Sequence, residues 1–122
     1  MLNEKSRYYG STKTISLKEL KNVFNSSLFE YIDIVILFGS RAKENYHKRS
    51  DYDFAVLVNS DAYDDWGIIT KVWTDIGKNL KLDEVDYDVV DLSTVTNEMK
   101  SSILSGYKII KGSQDDISRV LS

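Results

Sequence analysis

The stretch ILFGSRAKENYHKRSDYDFAVLV, residues 36–58, decides the fold. It continues an uninterrupted apolar run, Ile34 to Phe38, with the length and β-branched content of a strand covered on both faces. Gly39 ends that run, and the good helix formers from Ser40 to His47 predict a short helix starting near Ser40. Tyr52 to Val58 reads as the next strand, with Asp51 and Asp53 at its start. Side chains alternate across a strand, so the two carboxylates share a face, the one on which Ala55 and Leu57 enter the core.

Upstream, residues 1–12 are expected to form a mobile tail. Ser16 and Glu19 stand in S-x-x-E spacing, a capping box, ahead of a helix over about 17–30 whose apolar stripe is Leu17, Leu20, Phe24 and Leu28. Downstream, Asp61 is a candidate N-cap for a helix running to Leu80, with Trp66, Ile69, Trp73, Ile76 and Leu80 on one face. Asp61, Asp64 and Asp65 suit its N-terminal dipole, as Asp115 and Asp116 suit a terminal helical turn or two behind Ser113. Residues 84–92 read as a third strand. A helix follows, with Val95, Met99 and Ile103 at four-residue steps and Gly106 as C-cap candidate, and then YKIIKG as a short edge strand. The expectation is a single α/β (α+β) domain over 1–122, a small mixed central sheet with flanking helices. Periodicity leaves the strand order open.

Composition narrows the chemistry. With 122 residues and 42% hydrophobic content the chain has material for one modest core. A net charge of −3 argues against a general nucleic-acid-binding surface, which needs a basic face. Cysteine is absent and histidine occurs once, which leaves no disulfide framework, no thiolate zinc site and little prospect of zinc at all. The polar start and the lack of any apolar run near the roughly 20 residues of a membrane span give the expectation of a soluble, cytoplasmic protein.

Two like charges side by side raise one pKa or cost stability, and a divalent cation compensates them while also serving chemistry. Asp86 and Asp88 repeat the arrangement on the third strand, so neighbouring strands would complete a three-carboxylate cage for Mg²⁺ or Mn²⁺. Gly39 and Ser40 at a strand-to-helix turn supply close backbone approach, amide N–H groups and a hydroxyl for phosphate. Two metals about 4 Å apart would stabilise both the entering hydroxyl and the leaving pyrophosphate of an in-line displacement. Nucleotidyl transfer is the reaction such parts perform.

Gly39-Ser40, ten residues, then Asp51-x-Asp53 resembles the signature of nucleotidyltransferases related to DNA polymerase β. More narrowly, residues 32–110, with LFGSRA, SDYDFAVLV and YDVVDLSTVTNEMKSSILSGYKII, resemble the minimal nucleotidyltransferases, MNT-type antitoxins paired with HEPN RNase toxins. The resemblance implies that Asp51 and Asp53 bind both metals, and that a third aspartate binds the ion activating the acceptor hydroxyl. It favours Asp88 over Asp86 and Asp91, and puts Gly39, Ser40 and Arg41 at the nucleotide, with Arg41 able instead to pair with a carboxylate. It further implies ATP as substrate and a HEPN toxin tyrosine as acceptor of AMP, since only 34 residues follow Asp88 (122 minus 88), too few for a separate acceptor domain. Glu44 stands where the family often has glycine, extending the helix and setting a carboxylate near the phosphates; a proline frequent after the third strand is missing. Two rival readings remain: an antitoxin that neutralises by docking alone, or transfer to a small hydroxylated molecule, for which a homodimer would have to supply walls. His47, Lys48 and Arg49 read as a solvated loop able to steer an anion, and Trp66 and Trp73 as core or subunit contact.

Overall fold

The computed structural model describes residues 13–43, 50–59 and 67–122. The expected tail, Glu44, His47, Lys48, Arg49, Asp61, Asp64, Asp65 and Trp66 lie outside the described residues. Strands β1 (Ile32–Phe38), β2 (Tyr52–Val58), β3 (Tyr87–Asp91) and β4 (Tyr107–Lys111) form one sheet in the order β3-β2-β1-β4. β1 runs antiparallel to β2 and β4, while β2 and β3 run parallel. The sheet is therefore mixed, and β4 is an edge strand as its sequence suggests. Helices α1 (Leu17–Phe24), α2 (Ile68–Leu80), α3 (Asn97–Leu104) and α4 (Gln114–Leu121) accompany it. Among the described residues no helix is long and apolar enough to cross a membrane.

The alternation of the strands divides the interior in two. On one face Val35, Leu37, Tyr52, Phe54 and Val56 pack with Leu20 and Phe24 of α1 and with Val72, Ile76 and Leu80 of α2. Phe24 is the aromatic hub there, with ring centroids 4.8 Å from Phe29 and 5.5 Å from Phe54. On the other face Ile34, Ile36, Phe38 and Ala55 meet Ile103 of α3 and Ile117 and Leu121 of α4. Coverage on both sides is why β1 carries no polar alternation through its apolar run.

Three helices start on hydroxyl caps: Ser16, Thr96 and Ser113 accept from the N–H groups of Glu19, Met99 and Asp116. Elsewhere the chain departs from its sequence reading. The helix expected over 17–30 stops at Phe24, because the Asn25 side chain donates to the carbonyls of Lys21 and Ile110 and Ser26 donates to Val23, which draws the backbone off the helical ladder. A 3-10 turn, Ser27–Phe29, follows and inverts the expected stripe: Phe29 is fully buried while Leu28 is 59% exposed. β3 starts only at Tyr87, since the N–H of Asp86 closes a turn onto Asp83. α3 ends through Ser105, and Gly106 is not among the described glycines with positive φ; its missing Cβ instead leaves room for the Lys43 side chain. In place of helix, the described residues after Gly39 form a turn, with Ala42 N–H donating to Gly39 and Lys43 N–H to Ser40.

Candidate functional site

One end of the sheet gathers the C-terminus of β1 and the N-termini of β2, β3 and β4. The register there sets Asp88, Asp53, Phe38 and Tyr107 in one row across the four strands. Phe38 and Tyr107 belong to the α3 and α4 side of the sheet, so Asp53 and Asp88 stand on that side. Asp51 is exposed just before β2, two residues from Asp53.

Asp53 is half-buried and is pushed above the usual carboxylate range, first by burial, then by the charge of Asp88, then by that of Asp51. The charges of Asp88 and Asp51 thus both bear on Asp53 at this end. Gly39 adopts φ 77°, and a Cβ added there would overlap Asp53 Oδ2, so the turn backbone lies against that carboxylate. Ser40 follows, exposed. The other acidic candidates go elsewhere. Asp86 lies before β3, where its carbonyl accepts the Tyr52 N–H at 2.9 Å. Asp91 sits opposite Val56, further along β3 and one step out of phase with Asp88; its carboxylate accepts Ser93 N–H and Oγ at 2.9 and 2.8 Å.

Arg41 is placed away from the carboxylate face. It is 5% exposed, its Nε donates to the Ser50 carbonyl at 2.9 Å, and its guanidinium lies 4.6 Å from the centre of the Tyr52 ring, which belongs to the opposite core. Those contacts tie Ser50, where the chain enters β2, to the turn after β1. Lys43 was missed by sequence reasoning. Its stem packs on Gly106, next to the Tyr107 that pairs with Phe38, so an amine joins the β4 side of the same sheet end. The only sequence signal was the glycine at 106, which the sequence reading took for a helix C-cap.

The donor set at this end is carboxylate oxygen throughout, the chemistry of a hard divalent cation. The repulsion that lifts Asp53 is the repulsion that such a cation offsets, so the residues fit one in kind. Among the described residues no group of three His, Cys, Asp or Glu is drawn together closely enough to hold a metal, and the carboxylates would have to close on it.

A family model described as "Polymerase beta, Nucleotidyltransferase" matches residues 18–116. No curated protein matches the chain in sequence. Among solved structures, a toxin–antitoxin crystal structure with AMP-PNP superimposes with TM-score 0.66 at 21% identity, covering 88% of this chain and 82% of that one. The tri-AMPylated HEPN toxin of Shewanella oneidensis in complex with MNT antitoxin gives 0.60 at 20%, covering 87% and 81%. The MntA–HepT toxin–antitoxin gives 0.57 at 20%, covering 86% and 77%.

Proposed function

Because this chain belongs to the polymerase β nucleotidyltransferase family, we propose that its acidic sheet end transfers AMP from ATP to a tyrosine hydroxyl of a partner HEPN-type RNase chain, as an antitoxin. The observation that carries the reading is the pairing of Asp53 with Asp88 across β2 and β3, with the Gly39 turn pressed against Asp53. The solved structures of similar fold support the choice of nucleotide and partner: one is a toxin–antitoxin with AMP-PNP, another holds an AMPylated HEPN toxin.

In this reading Gly39 admits the triphosphate close to the backbone, the Ser40 hydroxyl donates to a phosphate oxygen and the Lys43 ammonium offsets its charge. Asp51, Asp53 and Asp88 would hold divalent cations, two Mg²⁺ or Mn²⁺, which when bound neutralise phosphate oxygens and favour the ionised acceptor. The acceptor oxygen bonds to the α-phosphorus as the bond from that phosphorus to the α,β-bridging oxygen breaks. Pyrophosphate leaves, and the tyrosine proton passes to the Asp88 carboxylate, which stands exposed on the outer strand. Arg41 acts from behind, holding the turn to Ser50.

The test is transfer of label from α-labelled ATP, with Mg²⁺ or Mn²⁺, to the co-expressed HEPN-type chain, followed by mapping of the modified residue. Label on a tyrosine with the natural protein and none with Asp53→Asn is the expected result. A docking antitoxin is the second reading, kept by Glu44, which stands where related nucleotidyltransferases often have glycine. It requires the natural protein and Asp53→Asn to silence the RNase equally, with no mass of AMP gained; that outcome refutes transfer.

A further inference from the structure

Behind the carboxylates, on the other face of the sheet, lies a cavity of about 590 Å³, within the size range of small-molecule sites. Its walls combine apolar side chains, Ile15, Leu20 and Leu37, with the Tyr52 ring and two cationic residues, Arg41 and Lys108. No acidic residue is among its described lining residues. Tyr52 fixes one wall: its hydroxyl accepts the Ile15 N–H and donates to the Lys13 carbonyl, both at 2.8 Å. A buried arginine, a lysine and aliphatic walls together offer an anion with an apolar body both opposite charge and apolar contact.

The cavity is also wired to the opposite face through the chain itself. Arg41 follows Gly39 and Ser40 directly, and Tyr52 stands between Asp51 and Asp53. One wall of the cavity is therefore the reverse side of both arms of the nucleotide motif. We propose that this cavity is a second binding site, for a small amphipathic anion, and that its occupancy is transmitted through Arg41 to the Gly39–Ser40 turn. Contact with Arg41 is the link: the guanidinium that spans from the turn to the Ser50 carbonyl is the group that an anionic head engages.

Hexanoate serves as the probe, with 1-hexanol and inorganic phosphate as its apolar and anionic halves, followed on the ¹⁵N-labelled full chain by amide chemical shifts. The expected result is saturable shifts at Ile15, Leu20, Leu37 and Tyr52, with Gly39 and Ser40 moving in step. Either half alone should bind about tenfold more weakly than hexanoate, and Lys108→Gln should weaken hexanoate several-fold in a chain whose spectrum is otherwise native. Leu17→Trp, which adds bulk at a lining position of the cavity, should remove the shifts. No saturation below about 20 mM, an affinity that a ligand of this size reaches at ordinary efficiency per atom, overturns the site. So does hexanol binding as tightly as hexanoate, or shifts centred on Asp53 and Asp88. Saturation without movement at Gly39 and Ser40 overturns the transmission.

Discussion

Gly39→Ala is the substitution that most directly asks whether the turn is built around Asp53. Gly39 holds φ 77°, a conformation that costs an L-residue about 1–2 kcal/mol. The new Cβ would also overlap Asp53 Oδ2, the far end of a side chain that can turn away. Displacing it from its rotamer adds about 0.5–1.5 kcal/mol. The two terms give about 1.5–3.5 kcal/mol, or a fall in Tm of roughly 5–17 °C for a domain of this size. Urea and thermal unfolding, followed by circular dichroism, would measure it. The same substitution in an Asp53→Ala background isolates the second term: with the carboxylate gone only backbone strain remains, and the cycle should return a coupling of about 0.5–1.5 kcal/mol. A loss equal in both backgrounds refutes the contact, and an unchanged Tm refutes the left-handed turn itself.

Other substitutions probe separate parts of the frame. Asp53→Asn should raise Tm at pH 7 in metal-free buffer, because burial, Asp88 and Asp51 all oppose the charge of Asp53. Since the folded carboxyl binds its proton more readily than the unfolded one, that penalty is full above its folded pKa and fades as pH falls through it; the gain should vanish below about pH 4, and a pH-independent gain contradicts the account. Tyr52→Phe leaves the Ile15 N–H without its acceptor and should cost about 1–3 kcal/mol in urea unfolding, with faster exchange of that amide. Gly77→Ala sets a methyl against the Tyr87 hydroxyl, which donates to the Trp73 carbonyl at 2.7 Å. It should cost about 1–3 kcal/mol by overpacking, and less in a Tyr87→Phe background, where the overlapping atom is gone.

The strands were legible because their two-sided burial leaves long apolar runs, and the helix starts at Ser16 and Ser113 because hydroxyl caps are local in sequence; the Thr96 cap was not read, and Val95, placed in that helix by its spacing, precedes it. Asn25 and Ser26 defeated the reading of the first helix: one competing side-chain bond ends on Ile110, a residue that no window around Asn25 contains. Periodicity put Leu28 in the core, but the 3-10 turn rotates Phe29 there instead. At the sheet end, alternation placed Asp51 and Asp53 on one face, while the neighbouring position of β3 and its register with β2 are tertiary facts that bring Asp88, not Asp91, beside them. Arg41 shows the limit most plainly. The family resemblance offered it a phosphate contact or a carboxylate partner, yet the turn carries it over Tyr52 on the far side, since neighbours in a tight turn need not share a face.

The antiparallel pairing of β1 with β2 and the parallel pairing of β2 with β3 also set the order in which the acidic end comes into being. Gly39, Asp51 and Asp53 lie within one strand pair and emerge together during synthesis, but Asp88 reaches them only after α2 has crossed over and β3 has closed a long loop. Loop closure of that kind is slow compared with pairing of sequence neighbours. A partner or ion that needs all three carboxylates therefore finds them together only once β3 has paired with β2.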